Sequence, residues 1–120
     1  MSSSEHNEKR QTPRLQPFVT ACQVEDGARR LRGWLTDLSL KGARVAIEQA
    51  LPPVGGSVTI EVRFGRRPPA RLQCRVKWVQ PAPDPSETGN FGVTFEGLDA
   101  ERQSLLKAVI DEFQQRAAAL

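Results

Sequence analysis

Arg10 and Arg14 are separated by three residues in Lys9-Arg10-Gln11-Thr12-Pro13-Arg14, and Asp37-Leu38-Ser39-Leu40-Lys41-Gly42 follows downstream. Arginine serves both phosphate and guanine, because its planar fork donates in parallel to phosphate oxygens or to the O6/N7 edge of the base, and its flat face stacks on bases. In extended chain the step from Arg10 to Arg14 covers roughly 13 Å, enough for two guanidiniums to reach different parts of one ligand. Pro13 stiffens that step and biases Thr12 toward extended geometry. If residues 33 to 39 form a strand, Asp37 and Ser39 project from the same face. A carboxylate does not help bind phosphate, so Asp37 would accept from N–H donors of a ligand or hold an arginine in place. Gly42 would supply a positive φ or a close backbone approach, leaving room for a base above the chain.

Each pattern alone has a plain structural reading. A basic N-terminal run is usually a solvated tail, and Asp and Ser ahead of a glycine also describe a strand running into a bend. Their order and the elements between them give the pair its weight. Phe18 to Glu25 reads as a first strand and Arg30 to Ser39 as a second, joined at Asp26-Gly27, a favoured hairpin pair. A third runs from Ala43 to Glu48, before Pro52-Pro53 and Gly55-Gly56 break the chain. Val58, Ile60, Val62 and Phe64 then share one face of a strand, and Leu72, Cys74, Val76 and Trp78 one face of the next, with charged residues between them. Residues 65–69 make the intervening turn, residues 81–89 a longer Pro-rich loop, and Phe91, Val93 and Phe95 a last alternating strand. Beyond Asp99, which is placed as a helix cap, the period changes to about 3.6. Leu105, Leu106, Val109, Ile110 and Phe113 form one stripe, read as core packed against the strands.

Antiparallel strands that bury one face and must hide their edges close into a barrel. The fold expected is therefore all-β with a C-terminal helix: residues 1–9 as a flexible tail, one domain over 10–116 with the barrel at about 17–96 and the helix at about 99–116, and a short tail at 117–120. The length of 120 residues suits one core. A net charge of +3 favours an anionic ligand without demanding a polymer. No apolar run has transmembrane length and residues 1–8 lack the hydrophobic stretch of a signal peptide, so the chain reads as cytoplasmic. Cys22 and Cys74 fall in separate strand-like segments and read as reduced core thiols. With His6 as the sole histidine, no metal site is recognisable. The same scarcity leaves no nucleophile, base and orienter to assemble, so Asp37 and Ser39 read as ligand contacts and no enzyme is expected.

The two patterns resemble the signature of the PilZ domain, an Arg-x-x-x-Arg loop followed by an Asp/Asn-x-Ser-x-x-Gly strand. The resemblance extends from Lys9 to Phe113, through Gly33, Gly42-Ala43-Arg44-Val45, Trp78 and Phe91-Gly92-Val93-Thr94-Phe95-Glu96. It implies a six-stranded antiparallel PilZ-type β-barrel with a C-terminal helix. It also implies a bacterial second-messenger receptor for cyclic di-GMP, with no cofactor and a separate downstream protein partner. Arg10, Arg14, Asp37, Ser39 and Gly42 would be the ligand-binding residues, with Lys9 and Arg44 as secondary ones. The arm carrying Arg10 would order on binding and signal to that partner, and a homodimer is compatible with the resemblance. Two positions depart from the usual pattern. Lys9 stands where the family often has a further arginine, which keeps the charge but loses the fork and the stacking plane. Thr36 replaces an apolar strand residue. Two other readings fit less well: an adaptor acting through protein contacts without nucleotide, and a small basic nucleic-acid-binding barrel. The latter requires exposed aromatic platforms, whereas the Phe and Trp residues alternate mostly into the inferred core and Tyr is absent.

Overall fold

The computed structural model describes residues 19–84 and 87–119. Lys9, Arg10 and Arg14, the expected tail 1–9 and Phe18 at the head of the first expected strand lie outside the described residues. Six strands follow in order: β1 (Thr20–Asp26), β2 (Arg29–Leu38), β3 (Gly42–Ile47), β4 (Ser57–Val62), β5 (Ala70–Gln80) and β6 (Gly89–Phe95), then one helix, α1 (Ala100–Ala119). All pairings are antiparallel, and the strand order β1-β2-β3-β6-β5-β4 closes on itself through the β1–β4 pair. Closure leaves no unpaired edge.

Alternation explains what fills the barrel. Val24, Leu35, Val45, Ile47, Ile60, Leu72, Val76 and Phe91 point inward and are almost wholly buried, while the residues between them face outward. Cys22 and Cys74 are free, buried thiols in the same core, and burial pushes both up to about 12. The helix plugs this core: Leu106 is fully buried and Val109 nearly so, with Leu105, Ile110 and Phe113 packed against the barrel residues. Burying Leu106 alone is worth about 2 kcal/mol. Asp99 caps the helix as the sequence implies, Oδ1 accepting the Arg102 backbone N–H at 2.8 Å. Arg102 turns back to the barrel and donates through Nε to the Arg71 carbonyl at 2.8 Å.

Four details differ from the sequence reading. The first hairpin loop is Gly27-Ala28, one residue later than Asp26-Gly27, because Asp26 pairs with Arg29 and is still strand. The second strand ends at Leu38, so Ser39 lies in the turn and not on the strand. Trp78, expected in the core, is 39% exposed. The helix continues to Ala119 instead of ending at 116, as three successive alanines favour.

Candidate ligand-binding site

Two β-bulges flank one end of the barrel, and each changes which way a side chain points. Between β2 and β3 the register slips between Leu35 and Asp37, leaving Thr36 as the extra residue. The inward positions 31, 33 and 35 are consequently followed by Leu38, which is buried, and Asp37 is turned outward. Thr36 partly closes the gap, its hydroxyl donating to the Arg44 carbonyl at 3.5 Å. Between β5 and β6 the register slips between Val76 and Trp78. Val79 now faces Phe91 and packs on the core, and the Trp78 indole is left outside. Bulges serve this purpose beside binding sites, since one unpaired residue re-aims those after it.

The re-aimed side chains meet over small residues. The Trp78 indole lies across Gly92, where a Cβ would overlap its Nε1, Cε2 and Cζ2 atoms. The Arg44 guanidinium sits 5.7 Å from the indole centroid, within cation–π range. Asp37, Leu38, Ser39, Lys41, Gly42, Ala43, Arg44, Trp78, Val93 and Thr94 together line an open depression of ≈ 480 Å³. Among the described residues, Lys41 and Arg44 have no ion-pair partner.

Asp37, Ser39, Gly42 and Arg44 therefore share one site, though not for the reasons that strand alternation offers. The Ser39 backbone N–H donates to the Gly42 carbonyl at 2.9 Å, and its Oγ accepts the N–H groups of Lys41 and Gly42, both at 3.2 Å. The hydroxyl donates in turn to the Gly42 carbonyl at 3.3 Å. The donor and both acceptor sites of the Ser39 hydroxyl are thus used inside the turn, where they fix the ledge of the depression. Gly42 has no positive φ. Its lack of a side chain serves the second of the two expected uses, close approach, but toward protein: a Cβ there would overlap the Val93 carbonyl oxygen of the paired strand. The site residue hidden in the sequence is Trp78. Its signal was the adjacent pair Trp78-Val79, two apolar residues in a strand that had alternated until then, opposite a glycine at position 92.

What this arrangement can do is hold a flat, anionic molecule. An indole and a guanidinium present stacking surfaces, Lys41 adds a point charge, and the carboxylate of Asp37 offers acceptors for ring N–H donors. Among the described residues there is no cluster of His, Cys, Asp and Glu able to hold a metal ion, and no helix is long and apolar enough to cross a membrane.

Comparison with known proteins agrees with this architecture. The PilZ domain of YcgR from Escherichia coli with c-di-GMP superposes with a TM-score of 0.72 at 21% identity, covering 91% of this chain and 94% of that one. YcgR from Escherichia coli in complex with c-di-GMP gives 0.75 at 20% identity over 92% of this chain, which spans 48% of that protein. The Bacillus subtilis inhibitor of motility, MotI/DgrA, gives 0.69 at 19% identity, with 89% of this chain and 52% of that one covered. At these identities the likeness establishes the fold. No curated protein sequence matches the chain. Residues 8–112 match the sequence profile of the PilZ domain, and the chain belongs to the PilZ domain family.

Proposed function

We propose that the chain is a cyclic di-GMP receptor whose ligand lies in the depression over Trp78 and Arg44 and is closed in by Arg10 and Arg14. The observation that carries this reading is the pair of bulges, which turn Asp37 and Trp78 out of the barrel toward the same place. Family membership and the c-di-GMP bound by YcgR, whose PilZ domain has the same fold, support it. The topology supports the arm as well. Thr20 pairs with Leu35 in an antiparallel ladder, so β1 begins at the end of the barrel where Asp37 lies. Arg14 is six residues upstream, about 20 Å of extended chain, enough to reach the rim. The family match begins at residue 8, ahead of both arginines.

In this mechanism one guanine stacks on the Trp78–Arg44 surface and another edge is read by Asp37. Lys41, Arg10 and Arg14 neutralise the two phosphodiesters, and Lys9 adds long-range charge. Ser39 and Gly42 act mainly by shape, one bracing the turn and the other letting β3 and β6 approach. Binding orders the arm, and the ordered arm is what a partner protein reads. The reading assigns a receptor and no reaction.

Calorimetry with cyclic di-GMP, against cyclic di-AMP and GTP, tests it. Saturable micromolar binding of cyclic di-GMP alone is expected. Removing either arginine should cost roughly 2–5 kcal/mol where its contact is desolvated. Unchanged affinity in both Arg10→Ala and Arg14→Ala would reject the site. The exposed indole beside Arg44 and Lys41 also favours, as a second reading, a single-stranded nucleic-acid platform. That reading requires oligonucleotide binding that falls steeply with salt and is not displaced by cyclic di-GMP.

A further inference from the structure

The turn that bounds the depression has a second side. Ser39, Lys41 and Gly42 face the depression, whereas Leu40 at the crest is 50% exposed and lines a separate groove of ≈ 320 Å³ with Leu98, Ala100, Gln103, Ser104 and Lys107. An aliphatic side chain left half in water at the tip of a tightly braced turn realises only part of the stabilisation that full burial would give. The turn cannot simply fold Leu40 away, because the Ser39 hydroxyl holds the next backbone N–H groups and the Lys41 carbonyl accepts the Phe95 N–H at 2.9 Å. Phe95 is three residues from Leu98. The depression and the groove are thus the front and back of one hydrogen-bonded loop, tied by the Lys41–Phe95 bond to the segment that starts the helix.

The groove's chemistry defines its occupant. Leu40 and Leu98 supply the apolar contact, Lys107 stands on the helix wall, and no carboxylate lines the groove. Asp99 is matched by Arg102 at 2.7 Å, and Asp111 stands one helical turn beyond Lys107. A second copy of a chain with net charge +3 would bring lysine toward lysine. A nucleic acid would find leucines where it needs aromatic platforms. We propose that this groove docks a segment of a partner protein carrying one bulky apolar residue flanked by Asp or Glu, and that the Ser39–Gly42 turn couples its occupancy to the ligand in the depression. The docking stands on the groove alone; the coupling rests on the receptor reading.

The test is a nitrogen-15 NMR titration of the full chain with a short synthetic peptide holding one leucine between glutamates, alongside peptides with that leucine changed to serine or the glutamates to lysines. The first peptide should give saturable shifts at Leu40, Gln103, Ser104 and Lys107, weakened about tenfold or more in both controls. Leu40→Ser and Lys107→Glu should each remove the response while cyclic di-GMP binds as before. Cyclic di-GMP should change the peptide Kd by a factor of about five or more. Equal response to all three peptides, shifts centred elsewhere, or Leu40 shifts that follow protein concentration without peptide would overturn the docking site. Peptide bound at the groove with no cyclic di-GMP binding would sink the receptor reading and keep the docking; both bound with Kd unmoved would sink the coupling.

Discussion

On the outward side of β1, β2, β4 and β5, Arg71 donates to Glu25 at 2.8 Å and to Glu61 at 3.0 Å, while Arg30 reaches the same Glu25 at 3.3 Å. On the outward side of β3, β5 and β6, Arg44 rests against Trp78, and neither Arg44 nor Lys41 is ion-paired among the described residues. The strands of the first face keep register, so its long charged side chains stand opposite one another and neutralise. Those of the second are interrupted by bulges, which exchange cross-strand pairing for a concave surface with unspent positive charge. One barrel thus carries a face whose charges are paired and a face that keeps two cations without ion-pair partners among the described residues.

The largest effect is expected where the concave face is tied to the core. Gly42→Ala places a methyl on the Val93 carbonyl oxygen, a backbone atom that cannot move alone. Urea denaturation should show a loss of about 4 kcal/mol or an unfolded chain. Gly92→Ala meets the Trp78 indole first, a side chain that can swing away. It should leave a folded barrel, destabilised by about 1 kcal/mol, with cyclic di-GMP affinity reduced. Equal effects of the two substitutions on stability would contradict the distinction drawn between them.

Next in size is a property of the shared interior. Burial raises Cys22 and Cys74 to about 12, against about 8.5 in unfolded chain. Between those values the unfolded chain has released protons that the folded one retains, so stability is whole below pH 8.5 and falls as pH rises. At pH 10 the loss should be roughly 2 kcal/mol per thiol. Denaturation at pH 7.5 and pH 10 should show it, and the double variant Cys22→Ala/Cys74→Ala should flatten the slope.

Trp78→Ala should weaken cyclic di-GMP binding by about 1–3 kcal/mol with little change in Tm, since the indole packs outside the core. Arg71→Ala should do the reverse: a small fall in Tm and unaltered ligand affinity. Its hydrogen bond holds the Glu25 carboxyl below the usual range. That contribution is present above the unfolded glutamate value of about 4.3 and disappears as pH falls through the lowered one. The Tm difference between wild type and Arg71→Ala should accordingly narrow in acid. A variant on this face that altered ligand affinity would break the comparison.

The two faces also differed in how far sequence revealed them. Where alternation is uninterrupted, as from Val58 to Val62 and from Leu72 to Val76, period 2 alone assigned inside and outside, and the cap at Asp99 marked the helix start. At the concave end the same rule misled. It put Trp78 in the core and Asp37 beside Ser39 on one strand, because a bulge is a register event between two strands and leaves only faint marks on either. Leu38 following Leu35 at a spacing of three, and Val79 directly after Trp78, were those marks. Asp37, Ser39 and Gly42 line one depression because the turn Ser39–Gly42 is encoded locally, by a hydroxyl that bonds backbone groups two and three residues on. Trp78 entered the site from a strand remote in sequence, which no local pattern announces.

The central claim is that cyclic di-GMP sits against the concave face, and the Trp78 indole Nε1–H reports on it directly. In a nitrogen-15 NMR titration with cyclic di-GMP, that resonance should shift and saturate together with the amides of Asp37, Ser39, Gly42 and Arg44, while those of Glu25, Glu61 and Arg71 stay in place. No shift at Trp78, or shifts centred on the ion-paired face, would contradict the account.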